Sequence, residues 1–264
     1  MFSASLIVTL IFLYPKNSLT AELKALQKPD RVARQYLISL HHLHPNNMTL
    51  KIELAKQRVA AGEEKQAISG LYPYVQKYPK TAQEWQIAYL YFQAIASQTF
   101  ALKPSDPDRQ ANTILLREQL NVLQYAPLSA RSLLFIANVA TATNEKEIAA
   151  KIYSDVAKNA KTLSTAELVQ AAKYALGVGA YRATADLYFS AQQKATTLAK
   201  RREYFLAGVK TLQSGNLMDA AINAALQHFG DLKNDQQTLV ALTKVALAAN
   251  KPDVAQQFIR KVIY

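Results

Sequence analysis

Residues Ala175–Ala191 read ALGVGAYRATADLYFSA. Gly179 interrupts a helical pattern, Tyr181 follows it, and small and aromatic residues resume at helical spacing. Upstream, Ser164 with Glu167 is a capping-box pair that opens a helix carrying Leu168, Ala171, Ala172 and Ala175. Downstream, Thr184, Tyr188 and Ala191 mark one face of a second helix. The segment therefore reads as two helices joined by a tight glycine turn.

The same order returns along the chain. Leu133, Ile136 and Ala137 precede a break at Asn144, with Ala149 and Tyr153 after it. Tyr204, Ala207 and Gly208 precede Gly215, followed by Ala220 and Ala224. Leu239 and Leu242 precede Asn250, then Ala255 and Phe258. The breaks at 144, 179, 215 and 250 are 35, 36 and 35 residues apart. Nearer the N-terminus, Asn46 or Asn47 caps a helix bearing Met48, Ile52, Leu54, Ala55 and Val59. Gly62 ends it, a second helix carries Ala67, Leu71 and Val75, and Pro45 to Pro79 spans 34 residues. A recurring period of this length is the signature of stacked helical hairpins.

The unit after Pro79 is irregular. Thr81 and Glu84 form another capping box, and Trp85, Ala88 and Phe92 make an inward face. Pro79 to Pro127 spans 48 residues, and the excess falls in SQTFALKPSDPDRQ, read as an inserted loop at 97–110. Ser105 or Asp106 then caps a helix with Ile114, Leu115 and Val122. Asp30 caps an earlier helix with Val32, Tyr36, Leu37 and Leu40, so residues 16–45 form a degenerate first hairpin. The fold expected is an all-α helical-hairpin solenoid of five to six antiparallel helix pairs. Its repeat region is residues 46–264, preceded by a hydrophobic segment at 1–15.

Composition agrees. Half of the 264 residues are hydrophobic, and with 7 Gly and 9 Pro the chain has few helix breakers. It has no Cys, which excludes disulfide scaffolds and cysteine nucleophiles. The net charge of +12 is spread along the chain without a basic arm. That distribution disfavours nucleic acid and leaves an acidic polymer such as a polysaccharide open as a partner. Met1–Tyr14 carries no charge. As a helix it would be ~21 Å long, short of the ~30 Å bilayer core but of signal-peptide length, and it reads as a membrane anchor or signal segment.

No nucleophile elbow, P-loop or dinucleotide fingerprint occurs, and GVGAYR follows no strand. Asp106 and Asp108 flank Pro107 as helix-capping acids. His41, His42 and His44 lack the i, i+4 spacing of helical metal pairs and suit a helix C-terminus. The chain is expected to be no enzyme, with no cofactor and no bound metal.

The periodicity and residues such as Leu54, Gly62, Ala67, Trp85, Tyr153, Gly179, Tyr181, Gly208 and Ala220 resemble the tetratricopeptide repeat (TPR) superfamily from about Asn46 to the C-terminus. Arg58, Thr184, Asn144 and Asn250 depart from its pattern. The resemblance implies a concave groove lined by the first helix of each hairpin. Lys56, Leu90, Asn138, Lys173, Val209 and Lys244 would occupy one equivalent position, and Arg131 and Arg202 a second. Leu134, Val169 and Phe205 would form an apolar floor for a partner helix. A hydrophobic start followed by degenerate repeats is similar to the N-terminal modules of bacterial envelope proteins that export exopolysaccharide. It implies a scaffold at the inner membrane with the repeats periplasmic. The alternatives are a cytoplasm-facing adaptor that recruits a partner through its groove and a polyanion-binding protein. The final helix, bearing Val254, Phe258, Ile259, Val262, Ile263 and Tyr264, is expected to leave an open apolar edge for a partner.

Overall fold

The computed structural model describes residues 31–263. Among them are thirteen α-helices, packed in neighbouring pairs, and no strand. The apolar run Met1–Tyr14, the Asp30 cap and the first half of the hairpin expected at 16–45 lie outside the described residues. No described helix is long and apolar enough to cross a membrane. The chain divides into two compact units, Met1–Pro127 and Leu128–Tyr264.

In the first unit, α1 (Arg31–Leu43) packs on α2 (Met48–Ala60), burying Ala33, Leu37, Leu50 and Leu54 together. Asn47 caps α2 by accepting the Leu50 N–H at 3.2 Å, and α3 (Glu64–Leu71) follows the turn at Gly62. Then come α4 (Ala82–Ala101) and α5 (Pro107–Leu123). Thr81 and Glu84 form the expected capping box. The loop expected at 97–110 is instead mostly helix, and only residues 102–106 connect α4 to α5. Thr99 is buried and its hydroxyl returns to the Ile95 carbonyl at 2.6 Å, so α4 continues through the polar stretch. Asp106 accepts the Asp108 N–H at 2.9 Å, and Pro107 begins α5, where proline starts a helix rather than breaking one. The extra residues lengthen two helices.

The second unit holds four hairpins. They are α6 (Ala130–Ala142) with α7 (Lys146–Lys158), α8 (Thr165–Gly177) with α9 (Tyr181–Lys194), α10 (Leu198–Ser214) with α11 (Met218–His228), and α12 (Gln236–Ala248) with α13 (Pro252–Ile263). Ile136, Tyr153, Leu168, Phe205, Leu242 and Phe258 are among the core side chains.

Each hairpin turns on one left-handed residue: Asn144 (φ 64°), Gly179 (78°), Asn216 (57°) and Asn250 (56°), with Gly62 (74°) in the first unit. The next residue donates back five positions into the helix. Glu145 N–H reaches Ala140 O at 2.8 Å, Ala180 reaches Ala175 O at 2.9 Å, Leu217 reaches Leu212 O at 2.8 Å, Lys251 reaches Ala246 O at 2.9 Å and Glu63 reaches Arg58 O at 2.9 Å. This is the Schellman closure, which satisfies helix-end carbonyls and accepts Gly or Asn. Asn144 and Asn250 therefore serve where glycine was expected. The third turn is centred on Asn216, not Gly215, whose φ is −80°. Gly215 has another cause: a Cβ there would lie 2.6 Å from Tyr181 Cγ.

The last helix turns most of its described apolar side chains inward. Ala255 and Phe258 are buried, Val254 and Val262 pack against the same core, and Ile259 is 45% exposed. The described part of the expected edge is thus largely covered, because α13 lays its stripe on α12 and the core beneath, while the side chains of Ile263 and Tyr264 lie outside the described residues.

Candidate functional site

The left-handed turn residues give a common ruler for the second unit. Six residues before each stand Asn138, Lys173, Lys210 and Lys244; ten before stand Leu134, Val169, Leu206 and Val240. The two sets are four residues apart on each first helix, so they share a face, ~6 Å apart along the axis. Lys173, Lys210 and Lys244 are exposed and in no ion pair among the described residues. Leu134, Val169 and Leu206 are half-buried and Val240 is exposed. Leu176 and Leu247, three residues before their turns, are 40% and 60% exposed. Each first helix from α8 to α12 thus offers a lysine behind an aliphatic side chain.

This ruler corrects the expected site. Phe205 and Val209 are 0% exposed and belong to the core of α10, so neither reaches a ligand. Their structural equivalents at the surface are Leu206 and Lys210. Sequence reasoning missed Lys210 because it measured α10 from Gly215. The apolar run Phe205, Val209 and Leu212, at i, i+4 and i+7, was the signal for the shifted register. Leu90 is also buried, at 5% exposure.

Other members are present but engaged. Arg131 Nε donates to Glu167 Oε1 at 2.9 Å, bridging α6 to the capping box of α8. The bond from Arg131 and those from Ser164 hold the Glu167 carboxyl down at about 2. Arg202 Nη1 donates to Asp235 Oδ1 at 2.8 Å, and Asp235 caps α12. Both arginines tie one first helix to the next, leaving less charge for a ligand than their positions imply. Asn138 Oδ1 accepts the Tyr153 hydroxyl at 2.9 Å, while burial pushes that phenol up to about 12. Lys56, in the first unit, pairs with Glu53 at 2.9 Å. The set the structure leaves available in the second unit is Lys173, Lys210 and Lys244 with Leu134, Val169, Leu206 and Val240.

A cleft of about 390 Å³ between the ends of α9 and α11 was not anticipated. Gln192, Gln193, Gln227, His228 and the Arg201–Asp231 ion pair line it. Gln192 Nε2 donates to His228 O at 2.8 Å, and the imidazole stacks on Phe189 at 4.2 Å between centroids. Burial lowers the His228 pKa, with Asp186 opposing, and burial raises that of Asp186. No acid–base hydrogen bond joins the two, and the cleft holds amides rather than an activated nucleophile.

No protein-family model matches the chain, and no curated protein matches it.

Proposed function

We propose that the protein is a non-enzymatic, TPR-like interaction scaffold of the bacterial envelope. In this reading the first-helix face of the second unit binds a partner segment that is acidic and aliphatic in alternation. One observation carries it: the shared register of Lys173, Lys210 and Lys244 beside Leu134, Val169, Leu206 and Val240. Lysines without acidic partners attract carboxylates, and half-exposed aliphatic side chains gain from being covered. The envelope assignment rests on the uncharged run Met1–Tyr14, which would hold the protein at the inner membrane with its repeats periplasmic.

The test is anisotropy of a labelled peptide of alternating Glu and Leu, titrated with the full chain at low and physiological salt. Lys173→Glu/Lys210→Glu/Lys244→Glu should weaken binding at least tenfold while leaving the unfolding midpoint nearly unchanged, since exposed charges contribute little to folding. Equal affinity of the triple variant refutes the face as the binding site. Protease protection in spheroplasts tests the sidedness separately.

A further inference from the structure

Among the described residues, the first unit contains a concentration of positive charge without acids lining it. His41 from α1 and Lys51 and Arg58 from α2 line a half-open cavity of about 30 Å³. Its floor is apolar, with Leu54, Ala67 and Leu71. Lys51 is 7% exposed; its ammonium donates to the Tyr74 hydroxyl and lies 3.8 Å from that ring's centroid. Arg58 Nη1 donates to the Gln66 carbonyl at 3.1 Å, but its Nε is buried with no hydrogen-bond partner. His41 Nδ1 is likewise buried and unpartnered.

The nearby acids are committed elsewhere. Glu53 pairs with Lys56 at 2.9 Å, and Glu63 pairs with Arg34 at 3.1 Å, although the Glu63 field still reaches Arg58. No carboxylate among the described residues lines the cavity. Gly70 completes it: a Cβ at that position would stand 3.3 Å from Arg58 Nη1, so glycine lets the guanidinium lie across α3. Burying charge without a counter-charge is costly, and so is leaving a buried donor unpaired.

We infer that this cavity is a binding site for a chloride-sized inorganic anion, held by Arg58 Nε and His41 Nδ1 in the field of Lys51. The volume fits the ligand. A water-sized atom needs ~10–15 Å³ measured this way, so the cavity admits one or two light atoms and excludes sulfate or a sugar acid. Donors on one side and aliphatic carbon on the other suit a weakly hydrated halide. Burial lowers the His41 pKa, followed by Lys51, His42 and Arg58, as befits an imidazole surrounded by uncompensated charge. The anion would pin α1 to the α2–α3 hairpin.

The experiment compares thermal unfolding of the full chain in sodium chloride and in sodium gluconate at equal ionic strength. Chloride should raise the midpoint saturably, by about 3 °C at 200 mM, because a ligand of the folded state stabilises it. Arg58→Gln should abolish the chloride-specific increment, whereas Lys103→Met, on the exposed α4–α5 connection, should retain it. Should Arg58→Gln not fold, bromide soaked into crystals of the unaltered protein should give an anomalous peak between Arg58 and His41. Equal midpoints in the two salts, an increment that survives Arg58→Gln, or a bromide-soaked crystal with no peak in the cavity would each overturn the inference.

Discussion

Gly208 separates two opposing physical effects. It lies inside α10, where replacing glycine by alanine normally stabilises a helix by ~1 kcal/mol. A Cβ at this position, however, would stand 2.7 Å from Phe189 Cε1 and 2.9 Å from Cζ. Phe189 cannot swing aside. It is 2% exposed, stacked on His228 at 4.2 Å and held 6.2 Å from the Phe205 ring centroid. Forcing a methyl into such packing costs ~1–3 kcal/mol. The contact outweighs the propensity, and Gly208→Ala should destabilise the second unit by about 1 kcal/mol. For a unit of this size that lowers the midpoint by ~3 °C. Gly177 is the matched control: it ends α8, and a Cβ there would meet nothing within 4 Å. Gly177→Ala should therefore stabilise by ~0.5–1 kcal/mol. Urea unfolding followed by circular dichroism measures both. A Gly208→Ala variant as stable as Gly177→Ala would refute the claim that α9 and α10 meet through that glycine.

Phe205→Ala should cost ~3–5 kcal/mol in the same assay, because the ring is wholly buried; a surface residue would cost far less. Ser164→Ala should lose ~1 kcal/mol with the α8 capping box, measured by urea unfolding. The Glu167 carboxyl should titrate near 2 by NMR and move up toward 4.5 in Arg131→Met. Because its folded pKa is depressed, its contribution to stability is complete above about 4.5 and fades as pH falls toward about 2.

The hairpin period, the capping boxes at Thr81 and Ser164 and the turns at Gly62, Asn144, Gly179 and Asn250 were legible because each rests on a local pattern. Gly215 misled because a glycine beside a helix end suggests a left-handed cap, whereas this one makes room for Tyr181 of the preceding hairpin. That one-residue shift exchanged Phe205 and Val209 for Leu206 and Lys210. The engagement of Arg131 with Glu167 and of Arg202 with Asp235 joins residues 36 and 33 positions apart. No short-range pattern discloses such pairs. The stretch 97–110 looked like a loop from its prolines and polar residues, but the burial of Thr99 is a tertiary fact.

The matching Schellman turns have a consequence for how the second unit comes apart. Its main helix contacts link each hairpin to itself and to the next one along the chain. Such an array behaves as a one-dimensional lattice of coupled elements, in which opening starts most readily at an end and advances one hairpin at a time. Amide exchange should then be graded from hairpin to hairpin rather than uniform across the unit. Lys173, Lys210 and Lys244 sit on three successive hairpins. A partner that spans the three lysines would thus tie neighbouring hairpins together, so that none of the three opens without releasing part of it.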